Sequence, residues 1–212
     1  MLTLRRLVTI IALFSISVAA SARERPVLRV GSEFPLKSGV RPSAPVTRAV
    51  IGGLDSDDRR MLDECITTNK LKRGDYSALL RSVRIGPPRQ ALWFISPAES
   101  PYCRALYGAH LFRYFFVEEK ISAVSRIYRV VFSNGGDFIE VYARKRNGLN
   151  DIQPTGCIAG KCWSARMAFD GRRYQPVRCT VTTFEKVGGI TRPRPCTGMV
   201  AAYQPSGFDS SR

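Results

Sequence analysis

Residues 127–133 read Ile-Tyr-Arg-Val-Val-Phe-Ser, then Asn134-Gly135-Gly136-Asp137, then residues 138–144 read Phe-Ile-Glu-Val-Tyr-Ala-Arg. Tyr128, Val130 and Phe132 alternate onto one face of the first run, and Phe138, Glu140 and Tyr142 share a face of the second. Asn and Gly tolerate the positive φ of a tight turn, so this stretch predicts a β-hairpin. It sets the expectation of an antiparallel sheet for the rest of the chain.

Outward from it the pattern repeats. The runs at 91–96 (ALWFIS) and 111–117 (LFRYFFV) are aromatic and β-branched and read as strands. Trp163, Ala165, Met167 and Phe169 alternate before Asp170-Gly171, and Tyr174 and Val177 follow, which predicts a second hairpin. Pro176 has no amide proton for a ladder and places that arm at a sheet edge. A helix is expected after Asp55 or Ser56: either can cap it, Asp57 and Asp58 suit its positive end, and Met61, Leu62, Cys65 and Ile66 form its apolar side. Lys70, Lys72 and Arg73 follow near its C-terminal end, with Gly74 as the stop. The fold class is therefore α+β, a short N-terminal helix packed on an antiparallel β-sheet, with disulfide staples and flexible ends.

The organisation expected is a signal peptide over 1–22, a Pro-rich linker over 23–54, one globular α+β domain over 55–185 and a Gly/Pro-rich basic tail over 186–212. Arg5 and Arg6 precede the apolar run 7–20, and Ala20-Ser21-Ala22 offers a small-x-small cleavage site. The run is short for a membrane span, so no transmembrane segment is expected in the mature chain. Export implies a periplasmic or secreted protein in an oxidising compartment. Cys65, Cys103, Cys157, Cys162, Cys179 and Cys196 then read as a disulfide framework whose connectivity the spacing leaves open. Cys179–Cys196 and Cys157–Cys162 are the natural local bridges, and Cys65–Cys103 the natural longer one.

The formal charge of the 212-residue chain is +16, and loss of Arg5 and Arg6 with the signal peptide leaves +14. Such a charge concentrates anions around the protein. Outside the cytoplasm the expected partner is an anionic glycan, a lipid headgroup or an acidic protein surface rather than nucleic acid. Candidate binding residues are Arg144, Lys145 and Arg146 at a hairpin end and Arg172 and Arg173 at a hairpin tip, because guanidinium forks match phosphate and carboxylate. Lys70, Lys72 and Arg73, and Arg192 and Arg194 in the tail, read as solvated charge.

Catalytic chemistry finds little material. His110 is the one histidine and reads as structural, so no catalytic residue is assigned. The spacing around Cys157 and Cys162 does not match a zinc ribbon, and no metal or other cofactor is expected. Gly156-Cys157-Ile158-Ala159-Gly160-Lys161-Cys162 is one residue short of a phosphate loop and lacks its Ser or Thr. Glu118 and Glu119 are strand neighbours and point to opposite faces, poorly placed to flank one glycosidic bond. Asp137 and Asp151 read as turn residues.

Asn147-Gly148-Leu149-Asn150-Asp151-Ile152, Trp163 and Phe169-Asp170-Gly171-Arg172-Arg173-Tyr174 resemble a β-hairpin module of small exported bacterial proteins of unassigned function. The resemblance implies an exported β-rich domain in a bacterial envelope and carries no active-site residue. The reading that follows is an exported, basic, non-enzymatic protein that binds an anionic envelope component or an acidic protein. An exported carboxylate-dependent hydrolase and a structural accessory protein without a ligand are the competing classes. N-terminal sequencing of exported protein should begin at Arg23, or at Ser21 if cleavage follows Ala20; an intact Met1 outside the cell would remove the export reading.

Overall fold

The computed structural model describes residues 24–87, 90–107, 112–185 and 188–197. His110 and the expected signal peptide lie outside the described residues. The strands are β1 (Pro26–Gly31), β2 (Leu80–Ile85), β3 (Gln90–Pro97), β4 (Phe112–Ile121), β5 (Arg126–Gly136), β6 (Phe138–Arg146), β7 (Leu149–Ile158), β8 (Lys161–Phe169), β9 (Tyr174–Glu185) and β10 (Gly188–Arg194). The helices are α1 (Ala44–Gly52) and α2 (Ser56–Thr68). Strands β2-β3-β4-β5 form a four-stranded sheet and β1-β6-β7-β8-β9-β10 a six-stranded one, with every paired neighbour antiparallel. The α+β class holds, with two helices and two sheets where one of each was expected.

The four-stranded sheet is the middle of three layers. Leu92 and Phe94 of β3 and Phe112, Tyr114 and Phe116 of β4 pack against Ile139, Val141, Ile152 and Met167 of the larger sheet. The alternate residues Ile95, Phe115 and Val117 pack with Val46 and Val50 of α1 and Leu62 and Ile66 of α2. Strand β4 is thus buried on both faces, which is why its sequence is an aromatic run without polar alternation. Each such side chain removed from water contributes roughly 1.5–3 kcal/mol.

The hairpin expected at 127–144 does not form. β5 pairs with β4 and β6 pairs with β1 and β7, so the chain leaves one sheet at Gly136 and enters the other at Phe138. Neither Gly135 nor Gly136 has the positive φ of a tight turn. Their smallness serves the crossing instead: a Cβ on Gly136 would stand 2.9 Å from the Thr155 carbonyl oxygen and 3.4 Å from the Tyr114 hydroxyl. Asp137 then fastens the chain to β7, its amide donating to Thr155 O and its carboxylate accepting from the Cys157 amide.

Segment 23–54, expected as a linker, contains β1 and α1. Pro26 begins β1, Pro45 lies in the first turn of α1 where its missing amide proton costs nothing, and Val46 and Val50 are fully buried. Residues 188–194 of the expected tail form β10, paired along β9 from Glu185 to Cys179. Because β10 stops there, Pro176 sits on a stretch of β9 with β8 as its one ladder partner, so the edge expectation holds locally although β9 is an inner strand. The 170–173 hairpin forms as read, with Phe169 opposite Tyr174, Gly171 at φ 104°, and Asp170 accepting from the Arg172 and Arg173 amides. α2 is capped by the Asp55 carboxylate, which accepts from the Asp58 amide at 2.8 Å, and ends at Thr68, before the expected Gly74.

Cys65–Cys103, Cys157–Cys162 and Cys179–Cys196 are bonded, so all six cysteines are paired. The first ties α2 to the chain 38 residues on, and the second closes five residues. Loop-closure entropy scales with that length. Urea denaturation should therefore find that replacing Cys65 and Cys103 by Ala costs about 4 kcal/mol, and Cys157 and Cys162 about 2 kcal/mol.

Candidate functional site

The anticipated basic residues do come together at one end of the six-stranded sheet. Asn147 donates to Phe169 O at 2.8 Å, which sets the turn after Arg146 beside the turn that carries Arg172 and Arg173. The arginines of β6 are engaged with acid, however. Arg144, Arg146 and Arg166 all approach Asp151, at 3.9, 3.8 and 3.4 Å, and Arg166 also reaches Glu24 at 2.7 Å. Asp151 is buried, so these cations offset its desolvation, and Asp151 is more than a turn former. Arg166 stacks on the Tyr142 ring, 3.4 Å from its centre, and Tyr142 donates to Glu140 at 2.8 Å. Burial first, then the hydrogen bond to Glu140 and that carboxylate's charge, push the Tyr142 phenol up to about 12 against the opposing pull of Arg166.

Glu118 and Glu119 point to opposite faces of β4, as strand alternation requires. Glu118 accepts from Arg129 at 2.7 Å and from Gln90 at 3.4 Å. Glu119 is almost fully buried and accepts from Arg84 at 3.1 Å, the Trp93 indole at 3.0 Å and Tyr128 at 3.1 Å, with Arg126 at 3.5 Å. Both its oxygens are taken by donors, which suits a structural anchor and leaves nothing for general acid or base work. No three His, Cys, Asp or Glu side chains among the described residues are placed to hold a metal ion. No helix among them is long and apolar enough to cross a membrane.

A concave site lies elsewhere, on residues assigned to the tail. Cross-strand partners share a face, and the register sets Lys161 opposite Thr183, Trp163 opposite Val181, and Arg192 opposite Val181 from the other side. This face continues the inter-sheet core: Ala165 and Cys179, one step along, are buried in it. Beyond them it opens into a groove of about 400 Å³ lined by Lys161, Trp163, Val181, Thr183, Arg194 and Pro195. A second hollow beside it is lined by Ile190, Arg192 and Arg194. No acid among the described residues lines either one. Cys157–Cys162 braces the turn next to Lys161, and Cys179–Cys196 pins the segment that supplies Pro195.

An indole flanked by ammonium and guanidinium groups can take a ligand with one apolar face and negative charge at its rim. Arg192-Pro193-Arg194 carried the available signal, since residues two apart on a strand share a face. The prolines disguised it as a tail. β10 is an end strand of its sheet, where Pro is tolerated.

The Glu119 network has a pH consequence. Burial alone would raise its pKa, yet the Trp93, Arg84 and Tyr128 hydrogen bonds and the Arg84 charge hold it below the ordinary carboxylate value. A lowered folded pKa contributes stability above the unfolded value of about 4.3, and that stability is lost as pH falls through the folded value. Urea midpoints across an acid series should show this limb in the native protein, and Glu119→Gln should flatten it. No protein-family model, curated protein or solved structure matches this chain.

Proposed function

We propose that this is an exported, periplasmic or secreted, non-enzymatic protein that binds an acidic polysaccharide of the cell envelope in the groove across β8, β9 and β10. The observation that carries the reading is Trp163 with Lys161 and Arg194 in a hollow lined by no acid among the described residues. A sugar ring presents an apolar face of C–H groups that stacks on indole, while its carboxylate or phosphate meets the cations at the rim. Three disulfides support an oxidising, extracytoplasmic setting, and the Arg5-Arg6 charge, apolar run and Ala20-Ser21-Ala22 site support export. The resemblance of residues 147–174 to a module of exported bacterial proteins agrees with an envelope role.

The anticipated set of Arg144, Lys145, Arg146, Arg172 and Arg173 becomes the secondary surface in this reading. Arg144 and Arg146 share Asp151 with Arg166, whereas Arg192 and Arg194 line a hollow with no acid among the described residues. Net charge would still steer an anionic polymer toward the protein from any direction.

The test is titration with polygalacturonate across a salt series, with neutral dextran as the control. Trp163→Ala should weaken binding about tenfold, as should Arg192→Gln with Arg194→Gln, while Arg144→Gln with Arg146→Gln should weaken it about twofold. Trp93 is engaged with Glu119, so quenching of fluorescence on binding should vanish in Trp163→Phe. Equal losses for both arginine pairs would reduce the basicity to generic charge, and the accessory-protein class would replace the binder.

A further inference from the structure

A further hollow lies away from the β8–β10 groove. An open cleft of about 540 Å³ lies between α1 and β5, lined by Pro45, Arg48, Ala49, Arg126 and Tyr128. Arg126 and Tyr128 are two apart on β5 and share a face, and Arg48 comes from the helix opposite. Neither α1 nor β5 contains an acidic residue. Glu119 lies buried beneath the cleft, and Arg84 already pairs with it at 3.1 Å. Arg126 stands farther away, 3.5 Å from Glu119, with over half its side chain exposed. Arg48 is exposed and makes no ion pair among the described residues.

The floor of the cleft is tied together by hydrogen bonds. Tyr128 donates to Glu119 Oε1 at 3.1 Å, and Trp93 and Arg84 hold the other oxygen. The Tyr128 hydroxyl and the Arg126 guanidinium converge on the same Glu119 oxygen, at 3.1 and 3.5 Å, so the tyrosine and the carboxylate together set where Arg126 stands. Glu119 below is therefore met by Arg84 and Arg126, while Arg48 lines the cleft from the helix side.

We infer that this cleft is an anion site for a phosphoryl group, bound between the Arg48 and Arg126 guanidiniums, with Tyr128 as a positioning residue that sets Arg126. A carboxylate offers two oxygens in one plane, whereas a phosphoryl group offers three arranged around phosphorus and can meet two forks from different directions. The phosphoryl group comes either on a soluble phosphomonoester or on a lipid headgroup. The site shares no residue with the β8–β10 groove, so it stands or falls apart from the polysaccharide reading.

The experiment uses two probes on the full mature chain: glycerol phosphate by calorimetric titration, and vesicles of phosphatidylglycerol in phosphatidylcholine by sedimentation. Arg48→Gln and Arg126→Gln should each weaken binding about tenfold. Lys37→Gln, an equal charge change at an exposed site away from the cleft, should change it less than twofold. Tyr128→Phe should weaken binding about threefold, and Arg126→Gln in that background should cost less than it does alone, a coupling that general destabilisation does not produce. Trp163→Ala should leave phosphoryl binding unchanged. Saturable, Arg48- and Arg126-dependent binding of glycerol phosphate assigns a soluble ligand; the same dependence with vesicles alone assigns a headgroup. Loss of the same size for Lys37→Gln, or no dependence on the two arginines with either probe, overturns the site.

Discussion

Strand β4 has no face to give to water, and the rest of the molecule is arranged around that fact. Phe112, Tyr114 and Phe116 require one apolar cover and Phe115 and Val117 require another. The six-stranded sheet supplies the first, and α1 and α2 supply the second. A single sheet with one helix would leave one of those aromatic rows exposed. The three layers follow from the hydrophobic cost of that exposure.

The same alternation governs the end of the strand. Glu118 and Glu119 continue β4 onto the two faces, and each must be neutralised where it lands. Arg129 and Gln90 meet one, while Arg84, Trp93 and Tyr128 meet the other. These acids draw basic residues into structural roles, as Asp151 does with Arg144, Arg146 and Arg166. Much of the apparent arginine patch is thus internal compensation, and the charge free to meet a ligand lies where acids are missing. The groove across β8, β9 and β10 is one such place among the described residues, whereas in the cleft beside α1 Arg126 shares Glu119 with Arg84 and Arg48 makes no ion pair among the described residues. A basic chain of this kind is best read by subtracting its buried acids first.

Helix α2 was legible because its signals are local: Asp55 caps it, Asp57 and Asp58 meet its dipole, and Leu62 and Ile66 repeat at helical spacing. The 170–173 hairpin was legible because Asp170 and Gly171 close it within four residues. The three disulfides matched the shortest sensible pairings. Asn134-Gly135-Gly136 misled because glycine has two uses. A turn needs its positive φ, but here the missing Cβ lets Gly136 pass against Thr155 and Tyr114 as the chain changes sheets. Proline misled likewise at Pro45 and Pro193, one inside the first turn of a helix and one on an end strand.

What the sequence determined by itself is whatever depends on neighbours along the chain: strand and helix character, the capped helix, the tight hairpin, the cysteine framework and the strongly basic charge. Which strands share a sheet was decided only by tertiary structure, because β5 and β6 satisfy their hydrogen bonds equally well with each other or with distant partners, and burial of both faces of β4 selects the latter. The site was decided there too. Trp163, Arg194 and Pro195 come together through the β8–β9–β10 register and the Cys179–Cys196 bridge, and no spacing along the chain encodes that meeting.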